Sequence, residues 1–310
     1  MRSGNKPIDG LKKELFALCQ SSSLSEDGLQ EIIIERYGSP KKPHITDYAF
    51  FHEACCNETV TEGILRLLLE YFPDAAGFIK KGGYTPLHWM CGNNNVTLGM
   101  VKLLIDAYPE SLCRASNDGF MPLNYICHNG KIDKEIAVQI LKFFLERCPE
   151  AVRHTTDNGN LPLHFAVANQ SPEFCRILIE AYPGSEQMTG VQGILPFHWA
   201  IYNTVATVEY LYKLYPESIS MADTNGLYPI HYLTCREGDD PEAAIEVVQF
   251  LLDCNPDVAL QKYQDKNPLY WVCDEATIAS ANANTPKLNA HLKILQPLTM
   301  HILKQLKKNM

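Results

Sequence analysis

No run of about 18 uninterrupted apolar residues occurs in the 310-residue chain, so no segment is built to cross a bilayer as a helix. The N-terminus, Met1-Arg2-Ser3-Gly4-Asn5-Lys6-Pro7, lacks the apolar core and small-residue cleavage site of a secretory leader. An excess of basic charge is missing too. The 27 Lys and Arg are outnumbered by 36 Asp and Glu, for a net charge of −9, which leaves no electrostatic grip on a phosphate backbone. That disfavours nucleic acid as the main partner. The eleven cysteines form no Cys-x-x-Cys pair and no zinc-like Cys/His spacing, and the chain is far longer than a disulfide scaffold needs to be. Phosphate-binding loops, nucleophile elbows, His-Glu-x-x-His helices and dinucleotide fingerprints are all missing. These absences predict a reduced, cytoplasmic or nuclear protein with no membrane segment and no cofactor, catalytic residue or metal site.

What is present is a folded composition, 46% apolar and 20% charged. Length alone suggests about two globular domains, but that quotient fails if the chain repeats itself, and it does. A Pro-apolar-His frame recurs at Pro86-Leu87-His88, Pro162-Leu163-His164, Pro196-Phe197-His198 and Pro229-Ile230-His231. Variants are Phe50-Phe51-His52, Pro122-Leu123-Asn124 and Pro268-Leu269-Tyr270. A second proline alternates with the first, after Phe72, Tyr108, Cys148, Tyr182, Tyr215 and Asn255. From second proline to the next first proline is 13 residues five times and 12 at the end, whereas the other interval ranges from 20 to 27. Each unit therefore has a fixed connector and a stretchable middle.

The first proline suits the opening turn of a helix, where its missing N–H costs nothing. The segment before the second proline, as in Met100 to Tyr108, reads as an apolar helix that must stop there. Every connector but the last carries glycine near its tip (Gly83, Gly119, Gly159, Gly193, Gly226), which is turn chemistry.

Gly83-Tyr84-Thr85-Pro86-Leu87-His88 resembles the hallmark of the ankyrin repeat, whose period is near 33 residues. The resemblance covers residues 42 to 285 and implies an inner helix, an outer helix and a β-turn finger per unit. It gives an all-α solenoid of about seven ankyrin-like repeats, between an N-terminal helical cap at 1–41 and a C-terminal helical cap at 286–310. Within the N-terminal cap, Ser25 reads as an N-cap, with Leu24 and Leu29 placed for a hydrophobic staple. At the other end, Pro297 is expected to break the helix that starts at Thr285-Pro286. Two departures stand out. The capping threonine survives only as Thr85, and each lost cap costs about 0.5–2 kcal/mol. The family's glycine after the outer helix is replaced by the second proline, so outer-helix ends should differ.

The histidines at 52, 88, 164, 198 and 231 recur one per unit, and the resemblance makes them structural hydrogen-bonding groups rather than a metal cluster. Cys55, Cys91, Cys127 and Cys273, five residues after their anchors, fall where the family prefers a small buried side chain. Outer-helix pairs Arg66/Glu70, Lys102/Asp106, Lys142/Glu146, Arg176/Glu180 and Glu209/Lys213 read as a solvated ladder. Asp240-Pro241-Glu242 is a helix start before it is a calcium loop.

Three residues after the anchors stand Trp89, Tyr125, Phe165, Trp199, Tyr232 and Trp271, with Glu53 as the exception. Helical geometry places this position roughly 150° from the centre of the apolar stripe. The resemblance puts it on the inner-helix side, toward the concave groove. Together with the finger residues Asn117, Asp118, Asn158 and Asn225, these are the candidate partner-binding residues. The same rings could instead be a stacking ladder that stiffens the array. The longer segments around His128 to Glu135 and Arg236 to Glu242 offer a second surface. The expected function is non-catalytic recognition of another protein, as a monomeric scaffold or adaptor. The alternatives are a structural spacer, or a metal-dependent regulator or enzyme using the inter-helix loops.

Overall fold

The computed structural model describes residues 6–36, 47–233, 241–281 and 285–308. Among these the regular elements are all helical, and the only β pairing is an isolated antiparallel bridge between Tyr263 and Lys266. The chain divides into two compact units, Met1–Asp157 and Asn158–Met310.

In the first unit the helices alternate between an inner and an outer row. The inner row is α1 (Lys6–Gln20), α3 (Ala49–Cys56), α5 (Pro86–Gly92) and α7 (Pro122–His128), each packed on the next. The outer row is α2 (Glu26–Gln30, continued by a π turn at Glu31–Arg36), α4 (Glu62–Tyr71), α6 (Leu98–Ala107) and α8 (Lys134–Arg147). The N-terminal hairpin thus stacks in the same two rows as the units that follow it. Ser25 caps α2, its Oγ accepting from Gly28 N at 3.2 Å, with Leu24 and Leu29 both buried.

The second unit repeats the scheme. Its inner row is α9 (Pro162–Asn169), α11 (Pro196–Ala200), α13 (Pro229–Tyr232) and α15 (Pro268–Ala281). Its outer row is α10 (Pro172–Ala181), α12 (Val205–Leu214), α14 (Pro241–Cys254) and α16 (Thr285–Lys308). Helix α16 runs straight through Pro297, where a break was expected. Ile294 and Leu298 are both buried, and their packing holds the helix across the hydrogen bond that proline removes.

The first proline opens every inner helix from α5 onward, as its fixed φ suits, and only the proline-less copy at α3 starts without one. The apolar stripe then packs inward: Leu87, Met90 and Cys91 in α5, Leu123, Ile126 and Cys127 in α7, and Phe197 and Ala200 in α11 are all at most 1% exposed. The second proline starts a 3-10 turn that the connector alone did not announce, at Pro73–Gly77, Pro109–Ser111, Pro149–Arg153, Pro216–Ser220 and Pro256–Leu260. At these five positions the outer helix ends without a left-handed glycine, and the residue before the proline, such as Tyr108 at φ −147°, makes the corner; after Pro183 a left-handed Gly184 (φ 89°) precedes the turn at Ser185–Gln187.

The fingers at Lys80–Tyr84, Ser116–Phe120, Gly190–Ile194 and Asp223–Leu227 are tight loops closed by two backbone hydrogen bonds, as in Ser116 N to Phe120 O (2.8 Å) and Gly119 N to Ser116 O (3.0 Å). The expected glycines have positive φ, between 71° and 88°. In the last finger Asp265 takes that place at φ 61°. Asn117 N donates to Gly82 O (2.8 Å) and Asp157 N to Asp118 O (3.1 Å), tying successive fingers of the first unit together.

Candidate functional site

The frame histidines build the platform on which the candidate surface rests. In α5 the Nδ1 of His88 accepts from Thr85 N at 3.1 Å, and its Nε2 donates to Phe120 O of the next unit at 3.0 Å. His164 repeats both bonds, to Leu161 N (3.1 Å) and Ile194 O (3.3 Å). His198 and His231 accept from Leu195 N (3.2 Å) and Tyr228 N (3.1 Å). Where the frame has asparagine, Asn124 Oδ1 accepts from Met121 N at 2.8 Å. The first N–H of the inner helix is thus satisfied from inside the helix. This answers the missing threonines: only half of a capping box needs a hydroxyl, and the other half persists. Burial pushes His88, His164, His198 and His231 down to about 4, so all four rings are neutral at pH 7.

A second ladder went unread in the sequence. Seven residues after the anchor stand Asn57, Asn93, Asn129, Asn169 and Asn203. Asn57 Nδ2 donates to Cys19 O (2.9 Å) and Ser21 O (2.7 Å), and Asn93 Nδ2 to Cys55 O (3.0 Å) and Asn57 O (2.9 Å). Asn129 bonds Asn93 O (3.0 Å), and Asn203 bonds Val167 O (2.9 Å) and Gln170 O (2.8 Å). The recurrence was visible in the sequence, but an asparagine just past a helix reads first as a local turn.

On this platform the aromatic positions divide. Phe165 is buried, whereas Trp89, Tyr125, Trp199, Tyr232 and Trp271 are half-buried. Neighbouring units touch through them edge to face. In the first unit Tyr125 meets Tyr84 at 6.3 Å and His88 at 5.8 Å between ring centroids; in the second, Trp199 meets Phe165 at 6.5 Å and Tyr232 meets His198 at 5.4 Å. Trp271 lies 5.4 Å from Tyr263, with Lys266 Nζ 5.1 Å from its ring. The indole Nε1 atoms of Trp89, Trp199 and Trp271 are buried without a hydrogen-bond partner, so these rings present apolar faces and edges rather than donors. Glu53, the exception, bonds Lys80 Nζ at 3.0 Å and accepts from Gln20 of α1 at 3.1 Å. Partial burial pushes its carboxyl up, but these two bonds outweigh it and hold it below its ordinary value.

The finger residues Asn117, Asp118, Asn158 and Asn225 are all exposed, flanking the half-buried rings. Finger and ring are joined where Tyr84 Oη donates to Asp118 Oδ2 (3.0 Å) and Tyr232 Oη to Asp223 Oδ2 (2.7 Å). Asp223 is itself locked, accepting from Asn225 N and Leu227 N at 2.8 and 2.9 Å.

Repeats resembling one another in this way have a family profile. The profile described as ankyrin repeats in three copies matches residues 134–220, and the single ankyrin repeat matches residues 82–113. Residues 82–113 and 134–220 are ankyrin repeats. The human ASB11 ankyrin repeat domain shares the fold, with a TM-score of 0.51 at 20% identity over 71% of this chain and 89% of that one. A second solved structure, the Bd0816 predatory endopeptidase from Bdellovibrio bacteriovorus in complex with immunity protein Bd3460, aligns over 70% of this chain and 99% of that one. Its identity is 21% and its TM-score 0.46. No curated protein sequence matches the chain at a significant level.

Arg66 pairs with Glu62 (3.9 Å) rather than Glu70, and Asp106 faces Arg147 of the adjacent outer helix (3.9 Å) rather than Lys102. Lys102 instead lies 5.4 Å from the ring of Phe143. Arg176–Glu180 and Lys213–Glu209 form as expected, both at 2.7 Å. Cys55, Cys91 and Cys127 are fully buried, but Cys273 is exposed and is no core filler. The expectation of an entirely reduced chain also fails: Cys113 and Cys148 are joined by a disulfide. The segment before α8 is built around Asp133, whose Oδ1 caps Glu135 N and Ile136 N at 3.0 Å each. Of the second long segment, residues 236–240, including the expected cap Asp240, lie outside the described residues. Among the described residues no helix is long and apolar enough to cross a membrane.

Proposed function

We propose that the chain is a non-catalytic protein-recognition module, a scaffold or adaptor that grips its partner with the inner-helix face and the fingers. Protein binding is the general role of ankyrin repeats, and the face is the finer reading. The observation that carries it is that each of the two units pairs half-buried aromatic rings on its inner helices with exposed Asn or Asp finger tips. Half-buried Trp and Tyr already have rigid positions, so a partner covering them gains apolar area at little further entropic cost. The edge-to-face contacts make the rings a ladder as well; a ladder half open to solvent stiffens the array and still offers its outer edge. A module of this kind suits a cytoplasmic or nuclear monomer, organised as seven repeats between two helical caps.

The test is quantitative capture of partners by the full chain and by a Trp199→Ala, Tyr232→Ala variant, with helicity followed by circular dichroism. Retained helicity with capture reduced at least tenfold supports the reading. Unchanged capture per folded molecule, with a lowered melting midpoint, assigns the rings to stacking alone.

A further inference from the structure

We propose that Cys113 and Cys148 form a reversible redox clasp between successive repeats of the first unit, opened and closed by thiol–disulfide exchange with a small disulfide of the glutathione class. The fourth residue after the second proline of one repeat meets the residue before the second proline of the next. A Cβ on Gly77 would stand 3.2 Å from the ring of Tyr108, and in the second unit Asn255 Nδ2 donates to Ser220 Oγ at 2.8 Å. At the intervening junction the pair is Cys113 and Cys148, bonded through sulfur with Cα atoms 6.0 Å apart and 35 residues of separation. Four of the six residues before a second proline are aromatic (Phe72, Tyr108, Tyr182, Tyr215), so a cysteine at 148 departs from its own register. It does so where the facing position also carries cysteine.

The surroundings separate this pair from the remaining thiols. Cys55, Cys91, Cys127 and Cys175 are buried in the helical core, each away from a second cysteine at bonding distance. Burial raises the Cys55 and Cys91 thiols well above their ordinary value and pushes Cys19 up to about 12, keeping all three protonated and unreactive at neutral pH. Cys113 is exposed and is followed by Arg114, while Cys148 is fully buried and lies 3.3 Å from Glu150 Oε1. That asymmetry orders the steps.

The exposed Cys113 thiolate attacks one sulfur of oxidised glutathione and releases the other half as thiolate, leaving a mixed disulfide. Cys148 gives its proton to solvent, attacks the Cys113 sulfur and expels the second glutathione thiolate. Overall, two protein thiols lose two electrons and two protons, and one oxidised glutathione becomes two reduced glutathiones. Excess reduced glutathione runs the sequence backward.

The experiment uses the full chain, fully reduced and then equilibrated in glutathione buffers of graded ratio, trapped by alkylation and mapped by peptide mass spectrometry. The expected result is one cross-linked species, Cys113 to Cys148, that appears and disappears with the ratio. Its formation should raise the melting midpoint by about 5–10 °C, as closing a loop of this length implies. That rise should vanish in Cys113→Ser and in Cys148→Ser, and survive in Cys56→Ser. Scrambled pairing, no pairing at any ratio, or pairing that leaves the midpoint unmoved overturns the proposal. Because Glu150 gives these sulfurs a third donor within reach, added zinc is the last arm. Stoichiometric zinc held by the two thiols and blocking oxidation also overturns it.

Discussion

Acid should dismantle this array through its histidines, and the size of the effect follows from their burial. His164, His198 and His231 sit in the second unit at 0–1% exposure, with Nδ1 accepting a backbone N–H in each. A protonated ring cannot accept that bond, and burial disfavours its charge. The folded rings titrate near 4, against 6.5 for the same group in the unfolded chain. Since the folded value is the lower, the contribution to stability is complete above pH 6.5 and is lost as pH falls from 6.5 toward 4. At pH 5 the loss is about 2 kcal/mol per ring, so these three rings together cost the unit about 6 kcal/mol, a large part of a typical domain's stability. Urea unfolding followed by circular dichroism at pH 8, 7, 6 and 5 measures it. The sharper form uses the chain's own alternative at Asn124, which accepts the same bond without titrating. His198→Asn should lose some stability at pH 8 from the smaller side chain, yet remove about a third of the second unit's pH dependence. Equal stability at pH 8 and pH 5, or an unaltered pH slope in the variant, would refute the argument.

Other consequences follow from single contacts. Asn93→Ala removes the side-chain donor to Cys55 O and Asn57 O, the latter keeping only Val60 N, at a position 3% exposed, and should cost about 1–3 kcal/mol in urea unfolding. Gly119→Ala must hold φ at 78° and bring a methyl to 2.7 Å from Asp157 N, so it should cost at least about 2 kcal/mol and lower the melting midpoint.

The repeat, the inner helices and the finger glycines were legible in the residues because each rests on a strong local rule: proline opens a helix, glycine permits positive φ, and apolar spacing sets the buried face. The N-terminal hairpin was legible for the same reason, through Ser25 and its staple. What was not legible depended on partners distant in sequence. Asp106 meets Arg147 of the adjacent outer helix at 3.9 Å, a partner that the helical wheel of a single helix cannot show. Pro297 did not break α16, because tertiary burial of Ile294 and Leu298 outweighed a local preference. Cys113 and Cys148 belong to different repeats, and only stacking brings their sulfurs together. The candidate surface was half legible. Its register gave the rings and the finger tips, while the hydrogen bonds from Tyr84 and Tyr232 to finger aspartates required the fold.

If recognition uses the inner-helix face and fingers, hydrogen exchange of the chain with and without its captured partner will show it. The expected result is added protection in peptides carrying Trp89, Asn117, Asp118, Tyr125, Trp199, Asn225 and Tyr232, with the outer helices around Arg66, Arg176 and Lys213 unchanged. Protection confined to those outer helices, with the finger peptides exchanging as before, would contradict it.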